Sequence, residues 1–233
     1  MKLLFAAAAF CSTLLSQGFI SPQELNDILY DQNTLLLDVG SKSAYQESHI
    51  PGARFIDIDS FYRSVDSNEP PKLLIAKAAD TLSSVGVKPS SHAVIYFHNI
   101  DKELGKATLL AYLLLKSGVE SVSILDGGYL SWIFEHELLA TTQMPSANSH
   151  TEMLDIVLDD LITIDEILDR NTYILLDSRP TPQYFGVQKA RGVKLLGHIP
   201  SAQSSFYGDK FLSDGTLRER AELEMMFKLH ELL

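Results

Sequence analysis

The fold of this chain is indicated by residues 34–53, which read TLLLDVGSKSAYQESHIPGA. A similar stretch, residues 173–202, reads YILLDSRPTPQYFGVQKARGVKLLGHIPSA. The aspartates that end the two apolar runs, Asp38 and Asp177, are 139 positions apart. One recurrence at so long a spacing indicates a duplicated domain, since a solenoid would repeat at a period of 20 to 50 residues.

The two stretches differ by an insertion in the second. His49 opens the HIPGA motif and His198 opens its counterpart HIPSA, and these histidines are 149 positions apart. Tyr45 and Tyr184 keep the spacing of 139, so the insertion of ten residues lies between Tyr184 and His198. We therefore align the two copies on the aspartate, the tyrosine and the histidine.

Each copy has the pattern of an α/β unit. A short apolar run, residues 35–37 or 174–176, ends in the aspartate and is typical of a buried parallel strand. Ahead of each run, Ser21 and Thr163 have a glutamate three positions later, a pattern that predicts a capped helix. The first copy continues with predicted helices at 76–84 and 103–117 and from 128, and with predicted strands at 93–97 and 122–125. Alternating strands and helices predict a parallel sheet with helices on both faces.

The domain organisation follows from this pattern. Residues 141–152 are polar and contain a proline, which is typical of a linker. We predict a signal peptide over 1–18, a first domain over 19–140, this linker, and a second domain over 153–233. The second copy ends before the counterpart of the strand at 93–97, so we expect the second domain to be incomplete.

Composition excludes several classes of function. The chain has 30 Asp and Glu against 19 Lys and Arg, a formal net charge of −11, which disfavours nucleic acid as a partner. Its single cysteine is Cys11, so intramolecular disulfides and thiolate metal sites are excluded from the remainder. His92 and His98 flank a predicted strand without an evident carboxylate near them. We expect neither a metal site nor a cofactor.

The N-terminus predicts export. Lys2 is followed by residues 3–15, which carry no charge and are rich in Ala and Leu, and then by the small residues of Ser16-Gln17-Gly18. Cleavage before Phe19 predicts a periplasmic or secreted protein. The alternative is an uncleaved segment that anchors the chain in a membrane.

The sequence resembles the tandem rhodanese-domain sulfurtransferases of the thiosulfate and 3-mercaptopyruvate type. The resemblance rests on the two copies described above and on residues 125–132, LDGGYLSW. It implies an α/β fold of two rhodanese-like domains with parallel sheets covered by helices. It also implies a small sulfur-donor anion, thiosulfate or 3-mercaptopyruvate, as the substrate.

Most of the motif residues have structural interpretations. We expect the aspartates to bind loop amides, the histidines to hold turns, the paired glycines to turn a strand into a helix, and the tryptophan to pack on the sheet. The residues concerned are Asp38, His49, Asp126, Gly127, Gly128, Trp132, Asp177 and His198.

The resemblance places catalysis on a cysteine in the loop between a strand and the long helix of the second domain. That thiolate takes a sulfur atom from the donor and passes it to an acceptor as a persulfide. The second copy does not reach this loop, and the first copy has no cysteine in its counterpart, residues 98–103. We therefore predict no catalytic residue, and one substrate-binding residue, Arg179, whose fork suits an anionic donor.

Two functions remain open at this point. The first is a sulfurtransferase-family polypeptide that is inactive alone. The second is a non-catalytic module that binds an anion at the amides of residues 98–102, or a partner. Association through the incomplete second domain is a further expectation.

Overall fold

The computed structural model describes residues 18–63, 71–136, 140–146, 153–161, 164–169, 174–190 and 192–229. The predicted signal segment, apart from Gly18, lies outside the described residues. So do Thr163 and residues 147–152 of the predicted linker.

A five-stranded parallel sheet forms the centre of the first unit, in the order β1-β7-β6-β2-β3. Its strands are β1 (Gly18–Ile20), β2 (Thr34–Asp38), β3 (Arg54–Phe55), β6 (His92–Tyr96) and β7 (Ser121–Leu125). A short antiparallel pair, β4 (Tyr62–Arg63) and β5 (Lys72–Leu73), lies between β3 and β6 in the chain. The predicted parallel sheet is confirmed.

Helices cover both faces of this sheet. They are α1 (Pro22–Ile28), α2 (Lys42–Glu47), α3 (Ile75–Ser84), α4 (Ile100–Lys116) and α5 (Gly128–His136). The predicted capping box at Ser21 and Glu24 is present. Helix α4 begins three residues before the predicted position 103, because the Asn99 side chain caps it by accepting from the backbone N–H of Lys102.

Alternating strand residues supply two separate cores. On one face Leu37 and Ile95 pack with side chains of α3 and α4. On the other face Leu36, Val94 and Trp132 pack together with Leu25 of α1 and other side chains. This is the alternation that a strand buried on both faces requires.

The segment Met153–Leu161 packs on the first unit. Leu154 and Ile156 are buried in the core beside α3 and α4, and the backbone N–H of Leu154 donates to the Ser83 hydroxyl over 3.1 Å. Farther along, Lys116 of α4 pairs with Asp159 at 2.9 Å. Packing therefore joins the start of the predicted second domain to the first unit, because its apolar side chains fill the core there.

The described part of the second unit holds short elements. They are α6 (Ile164–Asp169), β8 (Leu176–Asp177), α7 (Thr181–Tyr184), β9 (Gln203–Ser204), the 3₁₀ helix Tyr207–Lys210, and α8 (Arg220–Lys228). Strands β8 and β9 are parallel, with Asp177 opposite Ser204, as Asp38 is opposite Phe55 in β2 and β3.

Side-chain contacts recur between the two units. The Tyr45 hydroxyl donates to the carbonyl of Ala53 over 2.7 Å, and the Tyr184 hydroxyl donates to that of Ala202 over 2.8 Å. Each tyrosine stacks on the histidine of its own motif, with ring centroids 4.0 Å apart in the first unit and 3.8 Å in the second.

The two units differ in how many of their apolar side chains are buried. Among the described residues after 173, Ala202 is the one buried apolar residue, and many large apolar side chains are exposed. These include Ile174, Leu176, Phe185, Val187, Leu195, Leu196, Leu212, Met225 and Leu229. Within the described ranges, no helix combines the length and the apolar character needed to cross a membrane.

Candidate functional site

The carboxyl ends of β2 and β6 meet the first turn of α4 at one edge of the sheet. In parallel α/β sheets this edge is where ligands commonly bind. The loop that joins β6 to α4 consists of Phe97, His98 and Asn99. It is the loop to which the resemblance assigns a cysteine in the catalytic domain of the family.

Glu103 occupies the backbone amides of this loop. One oxygen of its carboxylate accepts hydrogen bonds from the backbone N–H groups of His98 and Asn99, each over 2.8 Å. Glu103 itself is buried. The N-terminal end of α4 thus carries an anion supplied by its own first turn, in the place where an external oxyanion would otherwise bind.

The buried Asp38 pairs with His98, a partly buried residue of the loop. The Asp38 side chain is completely buried, and its Oδ2 lies 2.9 Å from Nε2 of His98. Its Oδ1 accepts from the backbone N–H of Gly40 over 2.7 Å, which fulfils the predicted role of this aspartate as an acceptor for loop amides. The expectation that His98 lacks a carboxylate neighbour is wrong, because folding brings together residues 60 positions apart.

Gly40 leaves room for this pair. A Cβ at position 40 would lie 2.5 Å from Cδ2 of His98 and 2.9 Å from Oδ1 of Asp38. On its other side the His98 ring contacts the ring of Tyr129, with centroids 4.5 Å apart. The imidazole is therefore held between a residue without a side chain and an aromatic ring.

Tyr96 completes the buried part of the edge. Its hydroxyl accepts from the backbone N–H of Ile50 over 3.2 Å. Burial raises the pKa of this phenol far above its ordinary value, and the nearby charge of Asp38 adds to the effect. The hydroxyl therefore stays protonated, and its proton is available to the Asp38 carboxylate.

The paired glycines turn β7 into α5, as predicted. Gly127 and Gly128 have φ values of 69° and 62°, which disfavour residues with a side chain. A Cβ on Gly128 would lie 2.5 Å from the carbonyl oxygen of Phe97, so the close approach of this turn to the β6 loop also requires glycine. Trp132, one turn later, is buried in the second core cluster.

Asp126 connects the first unit to the second. Its Oδ1 accepts from the backbone N–H of Leu217 over 2.7 Å. Gly215 lies against the same turn, where a Cβ would be 3.7 Å from the Cα of Gly127. A cleft of 540 Å³ separates the first turn of α4, at Ile100 and Asp101, from Pro180 and the region of Phe206 to Ser213.

His49 and His198 hold turns in the same way. In each unit Nδ1 of the histidine contacts the carbonyl of the motif tyrosine, over 2.7 Å at His49 and 2.9 Å at His198. His49 is fully buried, and its Nε2 lies 3.2 Å from the carbonyl of Gln143. Both contacts are those of a structural histidine.

Arg179 lies beside Asp177 in the second unit. Its Nε lies 2.9 Å from Oδ1 of Asp177, and its Nη2 donates to Oδ2 of the same carboxylate and to the carbonyl of Gly197. These hydrogen bonds hold the pKa of Asp177 below its ordinary value. Since about a third of the Arg179 side chain is exposed, the guanidinium also faces solvent.

No cysteine lies among the described residues, and Cys11 falls outside them. In the same ranges, no group of three or more His, Cys, Asp or Glu side chains is arranged to hold a metal ion. At this edge the Asp38 and His98 pair and the Glu103 carboxylate supply hydrogen bonds.

The family model of the rhodanese-like domain matches residues 21–135. Among curated proteins, rat 3-mercaptopyruvate sulfurtransferase is 28% identical over 194 residues, and chicken thiosulfate sulfurtransferase is 27% identical over 197. Both alignments cover 81% of this chain but only 64% and 65% of the relatives. The chain thus spans less than two thirds of the length of these relatives.

Solved structures show the same fold. SseA from Escherichia coli, a 3-mercaptopyruvate sulfurtransferase, superposes with a TM-score of 0.71 at 23% identity, over 92% of this chain and 84% of SseA. An anaerobic ergothioneine biosynthesis enzyme from Chlorobium limicola gives a TM-score of 0.73 at 20% identity, over 92% of this chain and 58% of that enzyme. Residues 21–135 therefore belong to the rhodanese-like domain family, and the solved structures show the same fold.

Proposed function

We propose that these 233 residues form a sulfurtransferase scaffold that does not itself carry sulfur. The observation that carries the proposal is the absence of a thiol from residues 12–233. In the loop at residues 97–99, Glu103 accepts from the backbone amides and the side chain of His98 pairs with Asp38. The names of the relatives support thiosulfate or 3-mercaptopyruvate as the donor class of the family.

The chemistry explains why a thiol is required. A thiolate attacks the outer sulfur of thiosulfate, the sulfur–sulfur bond breaks, and sulfite leaves with the bonding electron pair. The persulfide that results then passes its terminal sulfur to a nucleophilic acceptor. Neither the imidazole of His98 nor the carboxylate of Glu103 can form a persulfide.

The test is sulfur transfer from thiosulfate, and separately from 3-mercaptopyruvate, to cyanide by the purified chain. We expect no thiocyanate above that of a heat-denatured sample. The Cys11→Ser variant serves as the matched control. Thiocyanate production that Cys11→Ser abolishes would assign the chemistry to Cys11 and overturn the proposal, and so would turnover that survives in the variant.

Partner binding is the second candidate, and the exposed apolar surface of the second unit favours it over anion binding in the first. Strand β2 pairs with β3 and β6, whereas β8 pairs on one side only, with β9, among the described strands. Leu176 of β8 is 38% exposed. An unpaired edge with apolar side chains suits the addition of a strand from a second copy of the chain.

Sedimentation velocity over a range of concentrations tests this second candidate. We expect association of the chain with itself, and its loss in the Leu176→Lys variant. Leu130→Lys, which changes an exposed leucine of the first unit, is the matched control and should leave association unchanged. A chain that stays monomeric up to high concentration contradicts the candidate.

We also propose export of the chain, on the strength of the uncharged segment at residues 3–15. Expression in a bacterium, followed by fractionation and N-terminal sequencing, tests it. A periplasmic product that begins at Phe19 is expected. A full-length product in the membrane fraction supports the uncleaved anchor instead.

A further inference from the structure

A second cleft lies on the first unit, away from the loop that joins β6 to α4. It has a volume of 280 Å³ and is bounded by α2, β3, the end of α3 and residues 144–146. Its walls are mainly apolar, because Tyr45, Phe55, Val85, Met144 and Pro145 line it. Small-molecule sites commonly combine such apolar walls with a few charged groups.

Two cations provide the charge in this cleft. Lys42, at the first position of α2, and Arg54, in β3, line the cleft, and no acidic residue does so. Neither cation forms an ion pair with another of the described residues. Among the described residues, this cleft therefore combines two cations with no acid, in a chain whose formal net charge is −11.

Acidic side chains of a neighbouring cleft already have partners. Lys42 also borders a neighbouring cleft that contains Asp57 and Asp59. Asp57 accepts from the backbone N–H of Ser60, and Asp59 pairs with Lys106 at 2.6 Å. Both carboxylates therefore have partners of their own, and no ion pair of Lys42 or Arg54 is formed within the described residues, so their positive charge is available to a ligand there.

We propose that this cleft binds a small organic anion with an apolar body, such as an aryl or alkyl carboxylate or sulfonate. The anionic head pairs with Lys42 and Arg54, and the apolar body packs against Phe55, Val85 and Met144. The fork of a guanidinium suits the two oxygens of such a head group, and an ammonium lining the same cleft adds positive charge. Thiosulfate has no apolar body and 3-mercaptopyruvate is small and polar, so this site selects a ligand class different from the donors of the proposed function.

Calorimetric titration of the 233-residue chain tests the proposal without mutation. The probe is 4-phenylbutyrate, the cationic match is 4-phenylbutylamine, and sulfate supplies an anion without an apolar body. We expect one phenylbutyrate per chain, and at least tenfold weaker binding of both controls. Absence of heat with phenylbutyrate, or equal affinity for the amine or for sulfate, would overturn the proposal.

The double variant Lys42→Gln/Arg54→Gln locates the site. It should weaken phenylbutyrate binding at least tenfold, because hydrogen bonds to charged groups contribute substantially to affinity. Lys72→Gln/Lys77→Gln removes the same charge from exposed positions outside the cleft and should change affinity less than twofold. Equal losses in the two double variants contradict the assignment.

If the first double variant fails to fold, NMR titration of the unmodified chain with phenylbutyrate replaces it. The signals of the Phe55 amide and the Met144 methyl group should shift, and unmoved signals overturn the proposal.

Discussion

His98 Nε2 lies 2.9 Å from Oδ2 of Asp38, whose side chain is fully buried. Asp38 ends β2 and His98 follows β6, so this contact joins two adjacent strands at the edge where the loop before α4 begins. A buried carboxylate is costly unless its oxygens have partners. His98 therefore stabilises the edge through Asp38.

The His98→Ala variant should lose about 1 to 3 kcal/mol of unfolding free energy, because Asp38 stays buried without one of its partners. Urea denaturation followed by circular dichroism measures the loss. His198→Ala, which removes an exposed histidine whose Nδ1 contacts a backbone carbonyl, should cost less. A change below about 0.5 kcal/mol in His98→Ala would show that the pair contributes little.

Gly40→Ala should destabilise the chain because its new Cβ would lie 2.5 Å from His98 Cδ2. A core clash of this kind costs about 1 to 3 kcal/mol. In a His98→Ala background the ring is absent, so the same substitution should cost less. A double-mutant cycle measures the coupling, and additive losses would contradict a direct clash.

Glu103→Ala should open the loop amides to an external anion. Without the carboxylate, the N–H groups of His98 and Asn99 lack their acceptor, which we expect to lower stability by about 1 to 3 kcal/mol. Sulfate or thiosulfate should then raise the melting temperature of the variant more than that of the unmodified chain, at ionic strength matched with sodium chloride.

Asp101→Ala is the matched control for this experiment, since it removes an exposed acid from the same turn. It should respond to sulfate as the unmodified chain does. An equal response to sulfate in Glu103→Ala and in the unmodified chain would mean that Glu103 does not occupy an anion site.

Arg179→Gln should weaken the binding of thiosulfate to the chain if Arg179 pairs with the anionic donor. Arg220→Gln, which removes an exposed arginine of α8, should leave binding unchanged. Calorimetric titration with thiosulfate in a constant buffer of low ionic strength measures both. Equal binding by the two variants contradicts the predicted role and leaves Arg179 as the partner of Asp177.

The sheet could be predicted from local patterns, because an apolar run of a few residues indicates a buried strand and the glycine pair indicates the turn that follows one. The pair of Asp38 with His98 could not be found in this way, since neither residue has a local signal for the other. Glu103 lies five residues after His98 and four after Asn99, so a negative charge near the loop amides could be inferred from the sequence. That its carboxylate binds those amides depends on the direction of one side chain, which the sequence alone does not specify.

The segment after the predicted linker shows another limit. Residues 153–158, MLDIVL, bury Leu154 and Ile156 but expose Met153, Asp155 and Val157. This alternation has the period of a strand and was a usable sign of one-sided burial. That this segment packs on the first unit rather than on the second could be learned only from its contacts with α3 and α4.

His92 should make the stability of the chain depend on pH below neutrality. Its Nε2 lies 3.2 Å from the hydroxyl of Ser123, and burial lowers the pKa of its imidazole. Because the folded state favours the neutral ring, the stability that His92 contributes is fully present above the ordinary pKa of about 6.5 and is lost as the pH falls through the lowered value.

The His92→Gln variant removes this dependence, so the difference in urea midpoint between the unmodified chain and the variant should shift in the variant's favour from pH 7.5 to pH 5. The His198→Gln variant changes an exposed histidine and serves as the control. A difference between the unmodified chain and His92→Gln that stays constant over this range would show that His92 takes up its proton equally well in the folded and unfolded states.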